Sequence, residues 1–301
     1  MSQAPSAMPV IAPADTAAAR PPARPSYEAL RVFARNPSAV AGALLLAAIL
    51  GVTIFGPMVM QADPFEIAWA PMTPPGEDAL LGTDYLGRDV LTGMVYGGRA
   101  TLLVGLVAAV LSMAIGLTVG ALAGYYGGWI DEILMRITEF FQVLPTLLFA
   151  MVLVTLFSPS LATIAVAIGV VSWTGTARLA RGEFLRLKRR EYVLAERVIG
   201  ASDARIIWKV ILPNALAPLI VSATLAIGTA ILFEAGLSFL GLGDPNVMSW
   251  GLMIGSNRPY ILTAWWAVTL PGAAIFLTVL AVSLIGDGLN DALNPNSRGR
   301  A

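Results

Sequence analysis

The sequence predicts an all-α membrane protein with six transmembrane helices. Three observations carry that prediction. Hydrophobic residues make up 57% of the 301-residue chain and charged residues only 13%, about half the charged share of an ordinary soluble domain. So much apolar surface needs lipid as its solvent. Charge-free stretches recur at the ~20-residue length that crosses ~30 Å of hydrocarbon. The basic residues gather on alternate connections between those stretches, as the positive-inside rule describes.

The elements follow in order. Residues 1–30 are rich in Ala and Pro and have no apolar core, which excludes a secretory signal and reads as a disordered cytosolic tail. Residues 31–60 form an N-terminal anchor and the first span, within the run 39–60. Residues 61–98 form an external loop that includes Pro64, Pro71, Pro74 and Pro75. Residues 99–290 hold helices 2–6 and a cytosolic segment, 178–212. The second span occupies 100–124, between Arg99 and Asp131. The run 140–177 carries no charge and is too long for one crossing. It breaks at Ser158-Pro159-Ser160, a turn-forming cluster, into a hairpin of two spans; the third span starts near Ile133 with Arg136 and Glu139 in its first turns. The fifth span lies in 210–233 and the sixth within 259–286. Between them, 236–264 is apolar for a loop. Its aromatic residues Trp250 and Tyr260, with Trp265 and Trp266 just beyond, suit the headgroup region, and a short surface or re-entrant helix is expected near 247–254. Residues 291–301 form a second cytosolic tail.

Six crossings put both termini on one side. With the termini in the cytosol, 16 of the 19 Lys and Arg residues are cytosolic and only Arg88, Arg99 and Arg258 lie outside. The expected topology is therefore N-in, C-in. The composition also excludes chemistries. The chain has no Cys and no His, so disulfides, thiolate or histidine metal sites and Ser–His catalysis are ruled out; no catalytic or metal-ligating set is expected. The formal net charge is zero, which gives no electrostatic case for nucleic acid.

The cytosolic segment has more pattern than a topology signal needs. The stretch from Glu191 to Ile199 reads as a short helix with acid at its start and base towards its end, matching the helix dipole. Gly200 follows, the residue best suited to a left-handed cap. Ser202 can then cap a second helix with Asp203 in its first turn. Ile207, Val210 and Ile211 share one face of it, and Pro213 marks the turn into the fifth span. Two short helices with a glycine elbow make a rigid protrusion, suited to docking a cytosolic partner.

These residues resemble the signature of ABC importer permeases, written EAA, three residues, G, nine residues, I-x-L-P. Ala195, Gly200, Leu212 and Pro213 match it, whereas Leu194, Glu196 and Val210 depart from it. The flanks Glu191-Tyr-Val-Leu-Ala, Gly200-Ala201-Ser-Asp203-Ala-Arg-Ile-Ile and Ile-Leu-Pro213-Asn214 resemble the dipeptide/oligopeptide/nickel branch. Further stretches resemble its second, C-type permease: Leu81-Gly-Thr-Asp84-Tyr-Leu-Gly87-Arg88-Asp89, Gly124-Tyr-Tyr-Gly-Gly128, Gly236-Leu-Ser-Phe-Leu-Gly-Leu-Gly243 with Ser249-Trp250-Gly251, and Gly286-Asp287-Gly288-Leu-Asn-Asp291-Ala-Leu-Asn-Pro295. The resemblance implies a permease subunit of an ATP-driven importer of di- or oligopeptides in the plasma membrane of a prokaryote. It implies four kinds of neighbour: a second homologous permease, two cytosolic ATPases that hold the ATP and Mg, an external substrate-binding protein, and lipid. Glu191, Ala195, Glu196, Gly200, Ala201, Asp203 and Pro213 are then the ATPase-coupling residues. The chain has no Gly-Lys pair, hence no phosphate loop; ATP hydrolysis belongs to other subunits.

Several residues in and beside the spans keep two readings. Gly116, Gly120 and Gly124 form a small-residue stripe, for packing within the chain or against the sister permease. Asp84, Arg88 and Asp89 contact the binding protein or pair with one another to stabilise the loop. Pro145 and Pro218 kink their helices for gating or to shape the bundle. Glu139 and Glu234, near helix ends where snorkelling is cheap, serve pairing or a proton relay. Rival functions are an importer of nickel chelates or another small solute, a gradient-driven carrier, a channel and a scaffold. A gradient-driven carrier calls for mid-membrane charges and broken repeats, and a channel for a filter motif; the spans hold little of either.

Overall fold

In a computed structural model of the chain, residues 27–76 and 78–293 are described. Most of the two expected tails lies outside them. Helix α1, Tyr27–Arg35, begins inside the segment read as a tail. It rests on the far end of the chain, with the Phe33 ring close against Gly288. Asn36 separates α1 from α2, Pro37–Met60, and caps α2 by accepting from the backbone N–H groups of Ser38 and Ala39, with Pro37 at the position where its missing N–H costs nothing. Asn36 Nδ2 also donates to Asp291, which ties the first span to the last.

Helix α3, Val90–Tyr126, has 37 residues, about 55 Å at 1.5 Å each. It starts nine residues before the boundary expected at 99 because Asp89, not Arg99, ends the loop: its carboxylate accepts from Thr92 N–H at 2.8 Å. Arg99 lies within the helix, exposed.

The expected third span is two helices, α4, Gly128–Val143, and α5, Thr146–Phe157, bent by 86°. Pro145 is the cause. It has no N–H to continue α4, and its ring holds Leu144 in an extended conformation (φ −71°, ψ 129°). Helix α6, Leu161–Leu187, follows, capped by Ser160. Next come α7, Glu191–Val198, and α8, Asp203–Arg205, whose last residue leads into a π-helical turn, Ile206–Ile211. That turn runs on into α9, Leu212–Leu237.

The chain therefore does not turn at Pro213. Leu212 N–H donates five residues back to Ile207, and the widened turn absorbs the proline's missing donor. Asn214 Nδ2 donates to Val210 O at 2.7 Å. A second π turn, Ser238–Leu242, ends α9. The short helix expected in the next loop is α10, Trp250–Asn257, and α11, Trp266–Leu293, closes the described chain.

Among the described residues, five helices are long and apolar enough to cross a membrane, or six if the bent pair α4–α5 is one span. Among the described residues there is no strand, only two isolated bridges in the loop before α3. The centre of the bundle is α3 against α6. A Cβ at Gly116, Gly120 or Gly124 would come within 2.7 Å of the carbonyl oxygens of Trp173, Ala177 and Arg181. The glycine stripe thus faces α6 of the same chain, and both rows step four residues at a time.

Candidate functional site

The protrusion between α6 and α9 is built from its base upward. Phe184, Leu187, Val193, Ile206, Ile207 and Ile211 are buried together with Tyr125 at the end of α3. Val193 is the residue of α7 that points inward, and it is fully buried. The backbone then reverses at Gly200, whose φ of +83° lies in the left-handed region. Ser202 accepts from Arg205 N–H, which starts α8.

Polar contacts pin the two arms. Tyr125 Oη donates to Asp203 Oδ1 at 2.5 Å, the Arg197 guanidinium lies over the Tyr125 ring, and Lys188 Nζ donates to Tyr125 O at 2.6 Å. Arg205 and Glu196 form an ion pair across the elbow at 3.7 Å. At the base, Arg181 makes a two-point ion pair with Asp131 of α4, at 2.6 and 2.7 Å. That pair ties α6 to α4, and the buried base fixes the protrusion to α3, α6 and α9.

Its outer face is apolar. Leu194 and Val198, four apart on α7, and Ile199 at its C-terminal cap are 47%, 86% and 75% exposed. Glu191 and Ala195 are also exposed, whereas Ala201 and Glu196 are half-buried. Of the residues expected to couple, Asp203 is bound to α3, and Pro213 sits in the continuous helix. Tyr125, Val193, Lys188, Arg197 and Arg205 carry the construction and were not singled out by sequence. Tyr125 stood in the Gly-Tyr-Tyr-Gly-Gly stretch, but nothing local shows that its ring reaches Asp203, 78 residues away.

The external loop has a different character. Asp84 is 7% exposed, and its Oδ1 accepts from the backbone of Leu86 and Arg88, both at 2.8 Å. It shapes the loop and does not face outward. Asp89 caps α3, and the Arg88 guanidinium lies over the Phe65 ring; Asp84 and Arg88 do bond to each other within the loop, through the Arg88 backbone rather than its guanidinium. Trp250 and Trp266 are buried, not at a headgroup surface. Trp250 Nε1 donates to Met94 O, which ties α10 to α3, and Trp266 Nε1 donates to Thr83 O, which ties the loop to α11. Trp265 is 55% exposed, so it alone of the three fits the headgroup reading.

Glu234 also departs from expectation. It does not snorkel: it is fully buried. Its Oε1 accepts from Ser238 Oγ at 2.9 Å.

Comparisons with known proteins agree with this architecture. Residues 116–299 match the family described as binding-protein-dependent transport system inner membrane component. Residues 25–75 match the N-terminal TM domain of oligopeptide transport permease C. The di/tripeptide transport system permease protein DppC of Pseudomonas aeruginosa is 41% identical, over 92% of this chain and 94% of that protein. The dipeptide transport system permease protein DppC of Bacillus subtilis is 42% identical, over 93% and 88%. The oligopeptide transport system permease protein OppC of the same organism is 37% identical, over 90% of each. Among solved structures, a chain from inward-facing conformations of the MetNI methionine ABC transporter superposes with a TM-score of 0.57 at 22% identity, over 67% of this chain and 96% of that one; at that identity the likeness is one of fold. A multi-pass helical bundle, a pinned protrusion between its fourth and fifth expected spans and a family match over more than half the sequence lead to one conclusion: the chain belongs to the binding-protein-dependent transport system inner membrane components.

Proposed function

We propose that this chain is a permease subunit of an ATP-driven importer of di- or oligopeptides, forming half of the solute path in a bacterial plasma membrane with both termini in the cytosol. The observation that carries the reading is the α7 protrusion. It bears an apolar outer face of Leu194, Val198 and Ile199 on a base fixed to α3, α6 and α9. An apolar knob on the basic, cytosolic side needs a protein partner to cover it. A base without slack passes the partner's movement to the spans. The names of the relatives support the peptide class.

The partners are two cytosolic ATPases carrying ATP and Mg, a second permease, and an external binding protein that delivers substrate. ATP and loaded binding protein must favour different bundle states, since a ligand shifts a conformational equilibrium only by its differential affinity. Leu194, which stands where the family signature has an acid, extends the apolar face.

The test is a pull-down of the tagged chain in mild detergent with partners identified by mass spectrometry. A second multi-span permease together with a soluble protein bearing a phosphate loop is the expected result. A chain that comes out alone and carries solute after reconstitution without ATP would overturn the reading in favour of a gradient-driven carrier.

A further inference from the structure

Halfway along α3, α6 and α9 lies an open cavity of about 190 Å³, room for several waters. Ser112, Ser172, Thr176, Ser222 and Thr229 line it, and no charged residue does. Its depth follows from the charge-free runs: Ser112 stands midway between residues 100 and 124, and Ser222 midway along 210–233.

Two of these hydroxyls are unlike others in the spans. Thr118, Thr138, Thr155 and Thr278 each donate to the carbonyl four residues back, the usual way for a hydroxyl to be satisfied in lipid. Ser112 Oγ and Ser172 Oγ are buried and have no hydrogen-bond partner among the described residues. Ser112 is 2% exposed, and both line this one cavity, on helices that meet along the glycine stripe. An acyl chain offers these hydroxyls nothing, and a buried hydroxyl left unpaired is destabilising. Water or a hydrogen-bonding solute removes that cost.

We propose that this cavity is a water-lined subsite of the solute path, whose hydroxyls take the N–H and C=O groups of a passing peptide backbone. It rests on the peptide-import reading above. A hydroxyl both donates and accepts, so one set of serines meets either half of an amide. The lack of charge keeps peptide termini from being held, and a path must release what it binds.

The natural chain has no cysteine, so single substitutions report cleanly. Ser172→Cys and Ser222→Cys, close in size to the originals, are compared with Phe276→Cys on α11, 63% exposed on a purely apolar surface. Each is assembled in the complete transporter in vesicles and treated with 2-aminoethyl methanethiosulfonate, and modification is read from the mass of this chain. The two serine positions should react about tenfold faster than Phe276→Cys, because the reagent attacks thiolate, which forms where water reaches. Excess di-alanine should slow them. Rates equal to that of Phe276→Cys overturn the subsite, and fast rates untouched by di-alanine overturn its ligand. ATP-dependent uptake of di-alanine by the unsubstituted complex is measured alongside. Uptake with the serine positions unreactive fails the cavity alone, whereas fast labelling without any uptake fails the peptide reading.

Discussion

Glu234 is the residue whose role changes most between sequence and structure. A carboxylate near the end of a span reads as a side chain that reaches for the interface. Instead it is enclosed between α3, α9 and the loop before α10, accepting from Ser238, and Thr101 beside it accepts from Trp250 N–H at 3.2 Å. Glu234→Gln keeps the volume and the accepting oxygen. Glu234→Leu strands the Ser238 hydroxyl and should lower stability by ~1–3 kcal/mol. Thermal unfolding of the purified complex should separate the two, with glutamine near the parent and leucine clearly lower; equal midpoints would mean that the carboxylate does not hold α10 in place. Two glycines set a similar contrast. Gly120→Leu drives a side chain into the α6 backbone and should abolish recovery of folded chain. A Cβ on Gly200 meets no atom within 4 Å, so Gly200→Val bears mainly the left-handed backbone cost of ~1–2 kcal/mol. It should leave the complex assembled while peptide no longer stimulates ATP hydrolysis, and normal stimulation would remove the elbow from the coupling role.

At the scale of elements, two prolines act in opposite ways. Pro145 breaks a span by 86° because Leu144 before it is held extended. Pro213 breaks nothing because the preceding turn widens to five-residue hydrogen bonds. That turn joins the protrusion to α9 without a loop. Pro213→Ala restores the missing N–H and favours an ordinary helical turn, which rotates α8 by about 100° relative to α9. The expected outcome is an intact complex with reduced peptide-stimulated ATP hydrolysis; unchanged stimulation would show that the π turn is not needed for transmission. The outer face of α7 is tested by Val198→Asp. The side chain is exposed, so folding is unaffected, but a charge at the centre of an apolar contact should cost ~1–2 kcal/mol, roughly tenfold in ATPase retained on a pull-down.

For the whole molecule, the spans differ in how much of them faces outward. Half of the α6 span is buried against 17% of α2, so α6 is the axis of the bundle and α2 its periphery, left for lipid or a neighbouring subunit. The loop before α3 and the turn after α10 are clamped together by Trp266, by Asn257 accepting from Tyr85 N–H, and by the Tyr85–Tyr260 stack. They form the end opposite the α7 protrusion. The orientation is testable with two exposed positions. In right-side-out vesicles, Leu262→Cys, at a site 97% exposed, should react with a membrane-impermeant maleimide, and Val198→Cys should react only after the membrane is opened. The reverse pattern would invert the topology.

Composition and local pattern were enough to read the apolar spans and the two short helices with a glycine elbow between α6 and α9. Transfer of charged and apolar residues between water and lipid is decided residue by residue along the chain, so it is written there. So are Gly200 and Ser202, whose caps depend on immediate neighbours. The break at Pro145 was half legible: the proline was visible as a kink, but not that α4 and α5 would part by 86°. Which face of a span turns inward was not legible. These helices are apolar on every side, since lipid and core ask for the same residues, and no periodic signal separates them. Only assembly of the bundle set the glycine stripe against α6, enclosed Glu234 and Trp250, brought Tyr125 to Asp203, and collected Ser112, Ser172 and Ser222 around one cavity. Those outcomes depend on contacts between residues far apart in the chain, which only the tertiary structure brings together.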